Sequence, residues 1–300
     1  MNKVYLSLQL SQLQYAIILG TIFLPGETMS RTLRPLSLGK ILDETFDIYR
    51  HNFVLFIGIS AIPNLVLLLL KIAAIRLGID TDTDTFAFVS VLAGLVTWFA
   101  SLFVEAIVTA ATTFAVSDIY LDTPTTMARC FSRVAGKALK VTYVSFVVAL
   151  IVGIGFAICI APGVYWAGVY GIAIPAVVLE NIRGRDALSR SASLTKNSVG
   201  RIIVVYFLTS IFSVLMAIAL NLGLSALGLA AFQTPRGSGL LDEITAALAA
   251  ILFGPISAIA LTLAYYDQRV RNEAFDIEHM MSLMGVQETP PSVPPPPPIA

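Results

Sequence analysis

Few residue patterns in this chain could carry chemistry. Glu105 is the one acid well inside an apolar run of membrane-spanning length. Ionisable groups at that depth are costly, which makes them the first functional candidates. Two readings of Glu105 stand side by side. It could bind a proton or a cationic substrate in a cavity between helices. Or it could be a carboxylic acid, neutral or hydrogen-bonded to a Ser, Thr or Tyr of another helix. Lys71 lies near the outer end of an earlier run, where its stem can reach the interface. It stands at a different depth from Glu105, so the two are not expected to pair.

Other patterns fail on their missing positions. Asp80-Thr-Asp82-Thr-Asp84 resembles the start of a calcium loop, but Thr85 and Val91 stand where Gly and Glu are required. Gly136-Lys137 lacks the earlier Gly and the following Ser or Thr of a phosphate-binding loop. Gly153 and Gly155 lack the third glycine of a dinucleotide fingerprint. Ser193-Leu-Thr-Lys196 fits Ser-x-x-Lys without its companion motifs. His51 and His279 are far apart in sequence, and Cys130 and Cys159 have no ligand spacing around them. No nucleophile–base set is visible. The expectation is no enzyme, no catalytic residue, no metal and no cofactor.

The elements that must position Glu105 follow from composition. Of 300 residues, 57% are hydrophobic and 13% charged. Soluble domains run at about 45–50% and about 25%. Mean hydropathy is +0.83. So few charges cannot cover a water-facing surface, and the chain reads as an integral membrane protein. Nineteen basic and 19 acidic residues cancel, which argues against a nucleic-acid partner.

A spanning helix needs about 20 apolar residues, because the hydrocarbon core is about 30 Å thick. Five blocks qualify: 53–77, 86–117, 141–179, 202–232 and 244–266. The third is too long for one crossing and suits two. Ala161-Pro162-Gly163 near its middle is a turn signal, which predicts helices over 141–160 and 164–180. The fold class is therefore all-α: a polytopic bundle of six transmembrane helices with short cytoplasmic interface helices.

Charge placement supports this count. Sixteen of the 19 Lys and Arg residues fall in the terminal segments and the two even-numbered loops. Lys71, Arg76 and Arg236 are the exceptions. Basic residues concentrate on the cytoplasmic side, so both termini are expected there, in a cell (inner) membrane of bacterial type. Residues 1–30 read as an extension, with Met29 as the natural start. A seventh helix over that segment is the alternative.

Three short basic segments, 37–51, 125–140 and 185–201, each precede a pair of spans. The chain thus reads as three units, about 37–120, 124–180 and 185–267. The first segment places Leu38, Leu42, Phe46 and Tyr49 at three-to-four spacing. Each segment is expected to lie with its apolar face in lipid and its basic face in water. The plainer reading is three ordinary basic loops. Gly153, Ala157 and Ala161 form a small-residue stripe expected to pack a tight hairpin, with Ala167 and Gly171 doing the same on the next helix. Tyr265 and Tyr266 are expected at the interface, and the segment to Glu278 to dock its acids near Arg190, Lys196 or Arg50. The tail, 283–300, is Pro-rich and expected to be an extended cytoplasmic spacer or a docking peptide.

Three segments carry a family resemblance. They are Leu33-Arg-Pro-Leu-Ser-Leu-Gly-Lys-Ile-Leu-Asp43 with Tyr49-Arg-His-Asn-Phe53, Ala187-Leu-Ser-Arg-Ser191 with Leu194-Thr-Lys-Asn197, and Ala264-Tyr-Tyr-Asp-Gln-Arg-Val-Arg-Asn-Glu-Ala-Phe-Asp-Ile-Glu278. Together they resemble uncharacterised bacterial membrane proteins labelled glycerophosphoryl diester phosphodiesterase membrane-domain-like. The resemblance covers a membrane domain of about 31–282. In some phosphodiesterases that region precedes a catalytic barrel, which takes about 250 residues. Only residues 267–300 follow the last span. The resemblance thus implies a membrane scaffold without the enzyme and carries no catalytic residue over. The leading expectation is a non-enzymatic scaffold that contacts membrane lipids, or a protein partner at the basic face or the Pro-rich tail. The alternative is a small transporter or permease with Glu105 in its path. A polar, accessible cavity at Glu105 would favour the second.

Overall fold

The computed structural model describes residues 36–76, 87–226 and 238–273. The chain divides into two compact units, Met1–Thr32 and Leu33–Ala300, and the described bundle belongs to the second. The extension over 1–30, the Asp80–Asp84 run, His279 and the Pro-rich tail lie outside the described residues.

All described elements are helices: α1 (Leu38–His51), α2 (Phe53–Arg76), α3 (Ala87–Tyr120), α4 (Met127–Ala135), α5 (Ala138–Ile158), α6 (Ile160–Tyr170), α7 (Ala173–Leu179), α8 (Gly184–Thr195), α9 (Val199–Ala226) and α10 (Ser238–Glu273). Six stretches are long and apolar enough to cross a membrane: α2, α3, α5, α6 with α7, α9 and α10. Their exposed flanks are studded with large apolar side chains such as Val66 and Leu69. That surface suits lipid tails and would be unstable in water. The order of elements repeats as expected, with α1, α4 and α8 each leading into two spans.

Local chemistry sets the helix starts. Ser37 accepts from the Lys40 amide at α1, and Thr126 accepts from the Arg129 amide at α4. Each satisfies one of the amides that a first turn leaves without a partner.

Several expectations need correcting. The hairpin turn falls at Cys159, which is extended (φ −168°, ψ 158°), and not at 161–163. Pro162 sits in the first turn of α6, where its missing N–H would have had no helical acceptor anyway. The hairpin glycines are also different. Gly153 has open space around it, whereas a Cβ on Gly155 would come within 2.8 Å of the Gly163 Cα. Gly155 and Gly163 therefore let α5 and α6 touch, while Gly153, Ala157 and Ala161 face outward. Gly168 plays a similar part against Ile203 of α9.

The short helices do not rest in lipid by their apolar faces. Those faces are sealed inside the protein: Ile41, Ile48, Cys130, Val134, Ala187 and Leu194 are all buried in one core. On α1 the buried stripe is Ile41, Thr45 and Ile48, one position round from the expected one, and Phe46 is 41% exposed. Tertiary packing against α10 decides this, because both faces of α1 carry apolar residues. Tyr49 donates across to the Leu252 carbonyl of α10.

Packing is uneven along the bundle. On α3 the buried positions begin at Ala106 and run to Tyr120. On α10 they are densest from Ile256 to Gln268. The half of the bundle beside α1, α4 and α8 is thus closely packed. The other half stands more open, and Glu105 lies at the boundary.

Candidate functional site

Three helix faces meet at Glu105. On α2, Asn64, Leu68 and Lys71 follow one another at helical spacing. On α3, Trp98, Ser101 and Glu105 do so. On α10, Glu243 is followed by Ala246, Ala247 and Ala250, whose small side chains leave the space unfilled. Together they line a cavity of about 320 Å³, at the small end of the range for ligand pockets. A second space of similar size continues past Lys71, Trp98, Ser101 and Glu243 to Thr97, Gly94 and Ile75. The passage therefore runs toward the ends of α2 and α3 that lie away from the short helices. About a turn further toward the short helices, Ser60, Thr109 and Ile256 are buried in the packed half of the bundle.

The charges in this cavity are not equivalent. Lys71 Nζ lies 2.7 Å from Glu243 Oε2, so these two neutralise each other. Lys71 therefore bonds across the bundle and does not reach out to the interface. Among the described residues, Glu105 has no cation beside it. Its bond comes from Thr109 of its own helix, whose hydroxyl donates to Oε1 at 3.4 Å. The hydroxyl of another helix expected in the plainer reading is not its partner. Glu105 is also exposed, and it lines the cavity. As expected, Lys71 and Glu105 do not pair, yet they share one cavity. Sequence reasoning missed Glu243 because it placed that residue just outside the last apolar run. The pattern Glu243-x-x-Ala246-Ala247-x-x-Ala250 was the available signal.

The opposite end of the bundle is held by two ion-pair clusters. In the first, Asp267, whose side chain is fully buried, meets Arg201 at 3.1 Å and Arg271 at 3.0 Å and accepts the Leu36 amide at 2.8 Å. In the second, Arg190 bridges Glu180 at 2.9 Å and Glu273 at 2.5 Å, and the Tyr265 hydroxyl donates to Glu180 at 2.7 Å. The expected contact between the end of α10 and Arg190 is present through Glu273. Tyr265 and Tyr266 are buried, not interfacial. Tyr266 shares a 2.8 Å hydrogen bond with Ser117. Ser193 donates to the Arg190 carbonyl, so its hydroxyl serves the helix and is not paired with Lys196.

The geometry defines a polytopic membrane bundle with a one-sided acidic cavity. Compared with family models, curated proteins and solved structures, the chain finds no match.

Proposed function

We propose that the protein is a non-enzymatic, multi-pass inner-membrane protein that takes a proton or small cation into the Glu105 cavity and acts as a small permease. One observation carries this reading. Lys71 and Glu243 neutralise each other, which leaves Glu105 as the acid facing an accessible space. A carboxylate there meets an entering cation with little competition from water and with Asn64 and Ser101 to share the coordination. The packed half of the bundle closes the path on the other side, as alternating access requires of one state.

The charge asymmetry supports an orientation with α1, α4 and α8, and both termini, in the cytoplasm. The cavity then opens outward. A scaffold role is the second reading. It is favoured by the ion pairs that lock the cytoplasmic layer and by the resemblance to phosphodiesterase membrane domains. Its partners would be membrane lipids, or a protein at the basic face or the Pro-rich tail.

The test is proton entry into liposomes that hold the purified protein and a pH-sensitive dye. An imposed pH gradient should collapse faster with the wild type than with Glu105→Gln. If both match protein-free liposomes here and in uptake of a small monovalent cation, the permease reading fails and the scaffold reading stands.

A further inference from the structure

A second cavity, of about 330 Å³, lies on the far side of the packed layer from Glu105. Its charged lining is basic throughout: Arg133, Lys137 and Arg269. Ser117 and Tyr266 add hydroxyl groups, and Leu121 and Leu179 form an apolar wall.

The three cations are held in place before any ligand arrives. Arg133 donates to Asp118 at 2.8 Å, and its guanidinium stacks 4.0 Å from the centre of the Phe114 ring. Lys137 Nζ lies 5.2 Å from the centre of the same ring and donates to the Val178 carbonyl at 2.8 Å. Arg269 is engaged by Glu273 at 3.2 Å. Asp118 therefore offsets Arg133, and Glu273 offsets Arg269. Lys137 has no carboxylate partner among the described residues. Burial, with repulsion from Arg133 and Lys140, pushes its ammonium below the usual lysine range. A cation left in that position lacks an anion.

We propose that this pocket binds a phosphate-bearing anion, with Lys137 as the residue that supplies the uncompensated charge. The apolar wall beside the cations favours the phosphate of an anionic phospholipid over free phosphate. Basic pockets between spanning helices suit such headgroups, because the phosphate meets the cations while the acyl chains stay in hydrocarbon. Placing that lipid in the inner leaflet rests on the orientation proposed above. Binding itself does not, since a nanodisc offers both leaflets.

The experiment measures binding of phosphatidylglycerol to the full-length protein in phosphatidylcholine nanodiscs, and of inorganic phosphate in a separate arm. Lys137→Gln should weaken phosphatidylglycerol binding about five- to tenfold, the loss of one well-placed cation. Lys140→Gln removes the same charge three residues away, outside the pocket, and should change little. Inorganic phosphate binding that depends on Lys137, without lipid binding, would keep the site and reassign the source of its ligand. A footprint on the wild type covers the case in which Lys137→Gln does not fold. Phosphatidylglycerol should shield Lys137, but not Lys140, from amine acylation. Equal losses in both variants, no Lys137-dependent binding of either anion, or no shielding would overturn the proposal.

Discussion

Lys71 on α2 and Glu243 on α10 form an ion pair at 2.7 Å across 172 residues of sequence. Both side chains are mostly withdrawn from solvent, so removing one partner strands the other. Lys71→Met should lower stability by about 1–3 kcal/mol, less than for a fully buried pair. Adding Glu243→Gln should recover part of that loss. Thermal unfolding in detergent of the two single variants and the double variant measures the coupling. Strictly additive effects would show that the pair does not contribute.

Glu105 should tolerate neutralisation. Among the described residues its bond comes from Thr109, and Gln keeps a group that can accept it. Glu105→Gln should therefore unfold at the wild-type temperature or above, because a neutral side chain is easier to hold at that depth. A midpoint well below the wild type would mean that the charge is structural.

The accessibility of the cavity can be read chemically. A cysteine at Glu105 should react with a small water-soluble thiol reagent, while one at the buried Ala106 should not. Equal protection at both positions would show that the cavity is closed to water.

The hairpin glycines separate by position. Gly155→Ala places a methyl group 2.8 Å from the Gly163 backbone and should cost about 1–3 kcal/mol through overpacking. Gly153→Ala meets nothing and should be neutral or slightly stabilising, since alanine is the better helix former. Equal effects in the same unfolding assay would place the α5–α6 contact elsewhere.

Orientation is open to labelling. Cysteines at 82 should react from outside the cell, and ones at 125 or 185 should react only after permeabilisation. The reverse pattern would invert the bundle and with it the direction in which the Glu105 cavity opens.

The sequence by itself determined the class of this protein. Length of apolar run and scarcity of charge act through solvation, which depends on local composition and needs no partner. Six helices of spanning length, the short amphipathic helices beside them and the place of Glu105 within an apolar run were all legible on that basis. Only the tertiary structure decided which faces meet. Leu38, Leu42, Phe46 and Tyr49 are as apolar as the stripe that is buried, so composition could not choose between rotations of α1 that differ by one residue. Gly153 and Gly155 are equally small, and only the path of α6 makes one of them a contact. The turn settled at Cys159 because Pro162 can occupy a first helical turn without losing a bond. Glu243 became part of the site because α10 packs beside α2, and an ion pair over 172 residues leaves no local trace in the chain. The charge of Lys137 has the same origin, since among the described residues the fold brings acids to Arg133 and Arg269 and none to Lys137.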